Sequence, residues 1–360
     1  MKTRFFSIVC LFLALSSSAA TLTVDNNTDA DINGLYYAAF ADAHSAAVDG
    51  DTIYINPSSR TYGNITISKH LVIYGVGFAP QTNSKQATTL SSVTLGGGAD
   101  NSVLNGLVIT QVVNLSTSLD AVQITNCYIA RSINFTNTSA TLGQFLIAGC
   151  VLGSDALTSE SVIRLQGGSI VGPVDIVSNL IFGSEAGQGA ITVSGANILN
   201  NIFIGAESNT NFLAFHQVQG CNIEYNIFYG RSPQSSDPAN FFGNSFSGNM
   251  TFQTSESFAD VIPGIADPSN IDNDLNVDAV DPEFVNLPLV NDWESYFDPQ
   301  TVDGSPAQDT SPNRGVYNGG STEYFTPLGT ALPVIETQGF SEGIVDDTVR
   351  LRITLKRGLD

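Results

Sequence analysis

Few residues in this chain can carry chemistry. Histidine occurs three times, at His44, His70 and His216, cysteine four times, methionine twice and tryptophan once in 360 residues. No His or Cys pair stands at the spacing of a zinc site, which argues against zinc chemistry. Basic residues are scarce too: 13 Lys and Arg face 34 Asp and Glu, for a net charge of −21. Such a field repels nucleic acid and anionic membranes. It also disfavours a polyanionic polysaccharide unless local basic residues or a bound cation intervene. A bilayer span needs about 20 apolar residues, and the apolar stretch Phe5–Leu15 is only eleven residues long, so no membrane span is expected.

What the amino terminus does carry reads as an export signal over residues 1–20. Lys2 and Arg4 give a basic start, Phe5–Leu15 an apolar core, and Ser18-Ala19-Ala20 a small-residue cleavage site. Removing it takes away two basic residues and no acidic ones, leaving a net charge of −23. The expected location is therefore secreted, extracellular or at the cell surface. A charged fraction of 13% with 33 glycines argues against a helical globule.

The informative signal is internal repetition. An apolar-x-apolar unit recurs as Ile65-Thr66-Ile67, Val93-Thr94-Leu95, Val113-Asn114-Leu115, Ile133-Asn134-Phe135, Ile163-Arg164-Leu165, Ile191-Thr192-Val193 and Leu213-Ala214-Phe215. A second unit follows each, most clearly as VDIVSNLIFG (174–183), ANILNNIFIG (196–205) and CNIEYNIFYG (221–230). Period-two alternation means strands, and a repeat of varying length fits coils of a β-solenoid rather than a helical array. The expected fold is all-β: a right-handed parallel β-helix, with strands about 4.8 Å apart and a continuous apolar core. Asn105, Asn126, Asn179, Asn201 and Asn226 are expected to share one register and stack as structural residues at a bend.

These motifs resemble the pectate-lyase-like superfamily of parallel β-helices over roughly residues 45–310. The helix-prone stretch Ala38–Ala47 before Asp49-Gly50-Asp51 is similar to the N-terminal cap of such proteins, and Asp281-Pro282-Glu283-Phe284-Val285-Asn286 to the closing coil of secreted β-helix proteins of the Bacteroidota. The implied division is a signal peptide at 1–20, an N-terminal cap at 21–63, coils at 64–286, and a closing coil with C-terminal strands at 287–360.

Chemistry is harder to place. Enzymes of this superfamily set catalytic groups on outward sheet positions, which makes Arg164 and His216 the catalytic candidates. The outward column reads Thr66, Thr94, Asn114, Asn134, Arg164, Thr192, Ala214 and has one basic member, and general acid–base work needs a second titratable group within reach. Asp155, Glu185 and Glu207 stand two residues past the glycine that ends three successive units. Like charges about 5 Å apart cost roughly 1 kcal/mol per pair in water, so this column is either a solvated acidic edge or a Ca²⁺ ladder. Asp272-x-Asp274-x-Asn276 with Glu283 imitates a calcium loop, but Val277 replaces the turn glycine. Cys127 and Cys150 share a register, either as inward thiols or within disulfide reach, and Cys221 is expected as a buried thiol. No cofactor is required on this reading, with Ca²⁺ as the alternative. The expected function is a non-catalytic, carbohydrate-binding or rigid extracellular element with a polysaccharide as partner. The alternative is a polysaccharide lyase or hydrolase. The sequence leaves the oligomeric state open.

Overall fold

A computed structural model describes residues 19–27, 36–77, 87–154, 161–183, 189–205, 213–254, 271–272, 275–289, 298–310 and 313–316. The chain is a parallel β-helix with three faces. Sheet A has twelve strands, from Tyr36–Tyr37 at one end to Ile271–Asp272 at the other. Sheet B has nine, from Asn64–Ile67 to Ser232–Ser235 with Phe241–Phe242 alongside. Sheet C has eight, from Thr89–Leu90 to Met250–Phe252. The apolar-x-apolar unit is sheet B, in which Ile65, Val93, Val113, Ile133, Ile163 and Ile191 lie in one register. The second unit is two strands rather than one. Val174–Val177 belongs to sheet A and Leu180–Ile181 to sheet C, with the turn Ser178-Asn179 between them.

That turn repeats down the stack. Its first residue has left-handed backbone in successive coils: Gly106, Asn126, Gly149, Ser178, Asn200, Tyr225, Gly248 and Leu275, all with φ between 51° and 70°. L-residues pay for this conformation, and the next position offsets the cost by hydrogen bonding. Asn179, Asn201, Asn226, Asn249 and Asn276 stack there. Each Oδ1 accepts from the backbone N–H one coil up, at 2.8–3.0 Å. Each Nδ2 donates to a sheet A carbonyl of the preceding coil, as from Asn201 to Ile176 at 2.8 Å. The expected register therefore holds for Asn179, Asn201 and Asn226 and extends to two more, but not upward. Asn126 sits one residue earlier, in the left-handed position. Asn105 ends a sheet A strand and donates to Thr125 Oγ1 at 2.7 Å.

Cys127 and Cys150 occupy the ladder position in the coils above. Their thiols reach the same carbonyl column, Leu104 and Ile124, at 3.8 and 3.5 Å, so sulfur stands in for the amide. Both are buried free thiols, as is Cys221 at the opposite bend. Burial, reinforced by Cys127, pushes the Cys150 thiol well up, and burial raises Cys221 to about 11.

The helix Phe40–Ala46 is shorter than the alanine-rich stretch suggested and turns Phe40 and Ala43 into the core. Lys69 Nζ holds its last carbonyls, donating to His44, Ser45 and Ala47. At the other end, the described residues 284–289, 298–310 and 313–316 lie along the solenoid. A hairpin of Phe284–Asn286 with Asp298–Thr301 leads to Leu287, Ala307 and Val316, which cover an apolar ridge on the outside of sheet C formed by Val151, Leu180, Ile202, Ile227 and Met250. Buried Arg314 fastens this strap. It donates to the carbonyls of Gly248, Leu275 and Pro306 and pairs with Asp309. Among the described residues no helix is long and apolar enough to cross a membrane.

Candidate functional site

Sheet B keeps its register through six strands and then breaks it. Between Gly189–Ser194 and Leu213–Gln219, Ile191 faces Phe215 and Val193 faces Val218, so two residues, His216 and Gln217, stand opposite the single residue Thr192. This is a β-bulge, the device that re-aims side chains beside functional sites. Phe215 and Val218 point inward and are buried, while His216 and Gln217 stand side by side on the outer face. Ala214 consequently aligns with Ala190 and is buried, so it does not continue the outward column as the sequence suggested; His216 does.

The next coil answers the bulge with an insertion. Phe215 pairs with Ser235 and Val218 with Phe241, which leaves residues 236–240 opposite His216 and Gln217. Pro238 starts a short 3-10 turn there. The insertion places Ser236 Oγ at 2.8 Å from His216 Nδ1 and Asp237 Oδ2 at 2.8 Å from Gln217 Nε2. Asn240 Nδ2 donates to the same carboxylate oxygen at 2.9 Å. First the Asn240 amide and then that of Gln217 hold Asp237 below the usual carboxylate value. Partial desolvation opposes them, and His216 adds a weaker pull in their direction.

The network runs back across the bulge to Arg164. Gln217 Oε1 accepts from Gln166 Nε2 at 2.9 Å, and Gln166 Oε1 accepts from Arg164 Nε at 3.3 Å. Gln166 also lines a cleft of about 440 Å³ with Ser194, Gly195 and the exposed Val171. Gly168 and Gly172 let this corner press onto the coil before it, since a Cβ at either would collide with backbone. Arg164 and His216 are thus on one face, two strands apart, as the sequence implied. Asp237, the missing titratable partner, and the amides of Gln166, Gln217 and Asn240 were not foreseen. The legible trace was the Asp-Pro in SSDPAN, a turn signal where the repeat stalls.

Buried Arg231 anchors the start of the bulged strand. It donates to the carbonyls of Ile204 and Leu213 at 3.1 and 2.9 Å, and burial pulls it down to about 9.

The chemistry available is hydrogen bonding around one ionised carboxylate, one imidazole and one guanidinium. Glycoside hydrolysis uses a pair of carboxylates, and Asp237 is the one carboxylate in this network among the described residues. The acidic column Asp155, Glu185, Glu207 lies outside the described residues. Asn276 of the calcium-like loop is committed to the ladder, and Asp274 is outside the described residues. Among the described residues no group of three or more His, Cys, Asp or Glu could hold a metal ion. No family model, curated protein or solved structure matches the chain, so the parallel β-helix is defined by its strand pairing.

Proposed function

We propose that the protein is an exported, non-catalytic β-helix of the pectate-lyase-like type that binds an uncharged polysaccharide at the register break of sheet B. The observation that carries this reading is the matched bulge and insertion. Breaking a parallel ladder costs backbone hydrogen bonds, and here the break gathers Gln166, His216, Gln217, Asp237 and Asn240 on one outer face beside a cleft. Amides and a carboxylate at hydrogen-bonding distance suit a ligand made of hydroxyl groups. The net charge of −21 favours a neutral chain over a uronate polymer. A glycan array tests this: binding to neutral glycans without turnover supports it, and silence across the array contradicts it.

A second reading has its own observation. His216 and Asp237 together supply two titratable groups for the acid–base work of a lyase, with Arg164 on the same face. Release of unsaturated or reducing sugar ends, with or without added Ca²⁺, would favour that reading.

A further inference from the structure

The asparagine ladder at the bend between sheets A and C begins at Asn179, and the two coils before it put cysteine in the same position. Strand pairing fixes this register. Tyr128 pairs with Val108 and Val151, and Val151 with Leu180, so the column one residue earlier reads Leu107, Cys127, Cys150, Asn179. Neighbouring strands lie about 4.8 Å apart, and a disulfide takes Cα atoms roughly 4.4–6.8 Å apart. Cys127 and Cys150 therefore meet the backbone condition where they stand. Both are 0% exposed and turn their sulfurs to the same carbonyl column. Cys127 is also a side-chain hydrogen-bonding neighbour of Cys150.

A ladder amide would serve here too. The Ile124 carbonyl receives the Cys150 thiol as the Ile147 carbonyl receives Asn179 Nδ2. Two sulfurs in consecutive coils supply what two amides cannot, a covalent bond across the gap between strands. Cys221 is the contrast within the chain. Its column neighbours are Ala196 and Asn244, so no sulfur faces it.

We infer that Cys127 and Cys150 are a disulfide site that staples two consecutive coils where the amide ladder ends. One thiolate attacks a sulfur of a disulfide oxidant and expels a first thiol. The second thiolate attacks the mixed disulfide and expels the other. The S–S bond forms, and the two electrons and both thiol protons leave with the oxidant as two thiols. Burial pushes the Cys150 thiol well up, which makes the folded pair a poor nucleophile, so the oxidant has to be present while the coils close. The bond then restricts the unfolded chain by closing the loop from Cys127 to Cys150. An oxidising compartment supplies such an oxidant. The inference draws on the export reading for that supply alone, and the test does not need it.

The test is cell-free synthesis of the full chain in a buffer of reduced and oxidised glutathione and, in parallel, in dithiothreitol. The soluble, folded fraction is alkylated in denaturant and digested with trypsin without reduction. Cleavage after Lys85, Arg131, Arg164 and Arg231 places Cys127, Cys150 and Cys221 in three peptides, 86–131, 132–164 and 165–231. The glutathione sample should show 86–131 joined to 132–164 with Cys221 alkylated, and the dithiothreitol sample no link. Cys221→Ala should keep the link and Cys150→Ser should lose it. The linked chain should melt several degrees above the unlinked one. Four results would each overturn the inference: Cys127 and Cys150 recovered in separate peptides, a link from either to Cys221, a linked chain that melts no higher than the reduced one, or soluble chain from dithiothreitol alone.

Discussion

Sheets A and B are made of the same coils, yet one runs unbroken and the other does not. In sheet A the pairing from Thr52–Ile55 to Ser245–Ser247 advances strand by strand without a shift. In sheet B it is equally regular as far as Gly189–Ser194, and then one strand carries a bulge and its successor an insertion. Regular stacking explains itself: identical positions meet identical positions, apolar inward, with the asparagine ladder closing the bend. The break has no such local reason. Its polar residues satisfy one another across three coils and face solvent, which is the expected appearance of a site rather than of a packing fault.

The comparison can be broken first on the regular side. Asn201→Ala should destabilise most, by roughly 3–5 kcal/mol, because the buried Asn179 N–H and Ile176 carbonyl of the preceding coil lose their side-chain partner and the Asn226 amide oxygen of the next coil loses one of its donors. Urea unfolding measures it. Arg314→Ala should cost roughly 2–4 kcal/mol by stranding the Gly248, Leu275 and Pro306 carbonyls. It should also make residues 298–316 protease-sensitive before the coils unfold. Ser178→Gly should do the opposite and raise stability by about 0.5–1 kcal/mol, since its φ of 54° is a left-handed conformation that glycine adopts freely. A small upward shift in melting temperature is the readout.

On the broken side the effects should be small in stability and specific in chemistry. Asp237 is held below 3.8 by its two amides. Its contribution is therefore present above the unfolded value near 3.8 and is lost as pH falls through the lower folded value. An NMR titration of this carboxyl should show Asn240→Ala moving the midpoint back toward 3.8.

Much of the fold was legible because period-two alternation is strong where one face of every strand is buried. Ile65 through Ile191 could be aligned from the sequence alone, and the structure agrees. Two things hid the rest. The turn between sheets A and C is only two residues long, so VDIVSNLIFG reads as one strand, and the asparagines at 105 and 126 look aligned with 179 when they precede the ladder position by two residues and by one. The bulge also preserves apolar spacing: Leu213-Ala214-Phe215 continues the pattern perfectly while the true register moves two residues on. Arg164 and His216 could be found because charge on an outward column is conspicuous. Asp237 could not, because it lies in an insertion that belongs to no repeat. Arg231 and Arg314 were overlooked for a related reason, since nothing in their sequence neighbourhood shows that their partners are backbone carbonyls of other coils.

The central claim is that the register break, and not the regular outward column, is the ligand-binding feature of sheet B. It is tested most directly by titrating one neutral hexasaccharide selected on the array into the wild-type chain, Asp237→Ala and Asn114→Ala. Asn114 stands on the same outer column in an unbroken strand. The prediction is a loss of at least about tenfold in affinity for Asp237→Ala, with a wild-type melting temperature, and no change for Asn114→Ala. Equal losses in the two variants, or none in Asp237→Ala, would contradict it.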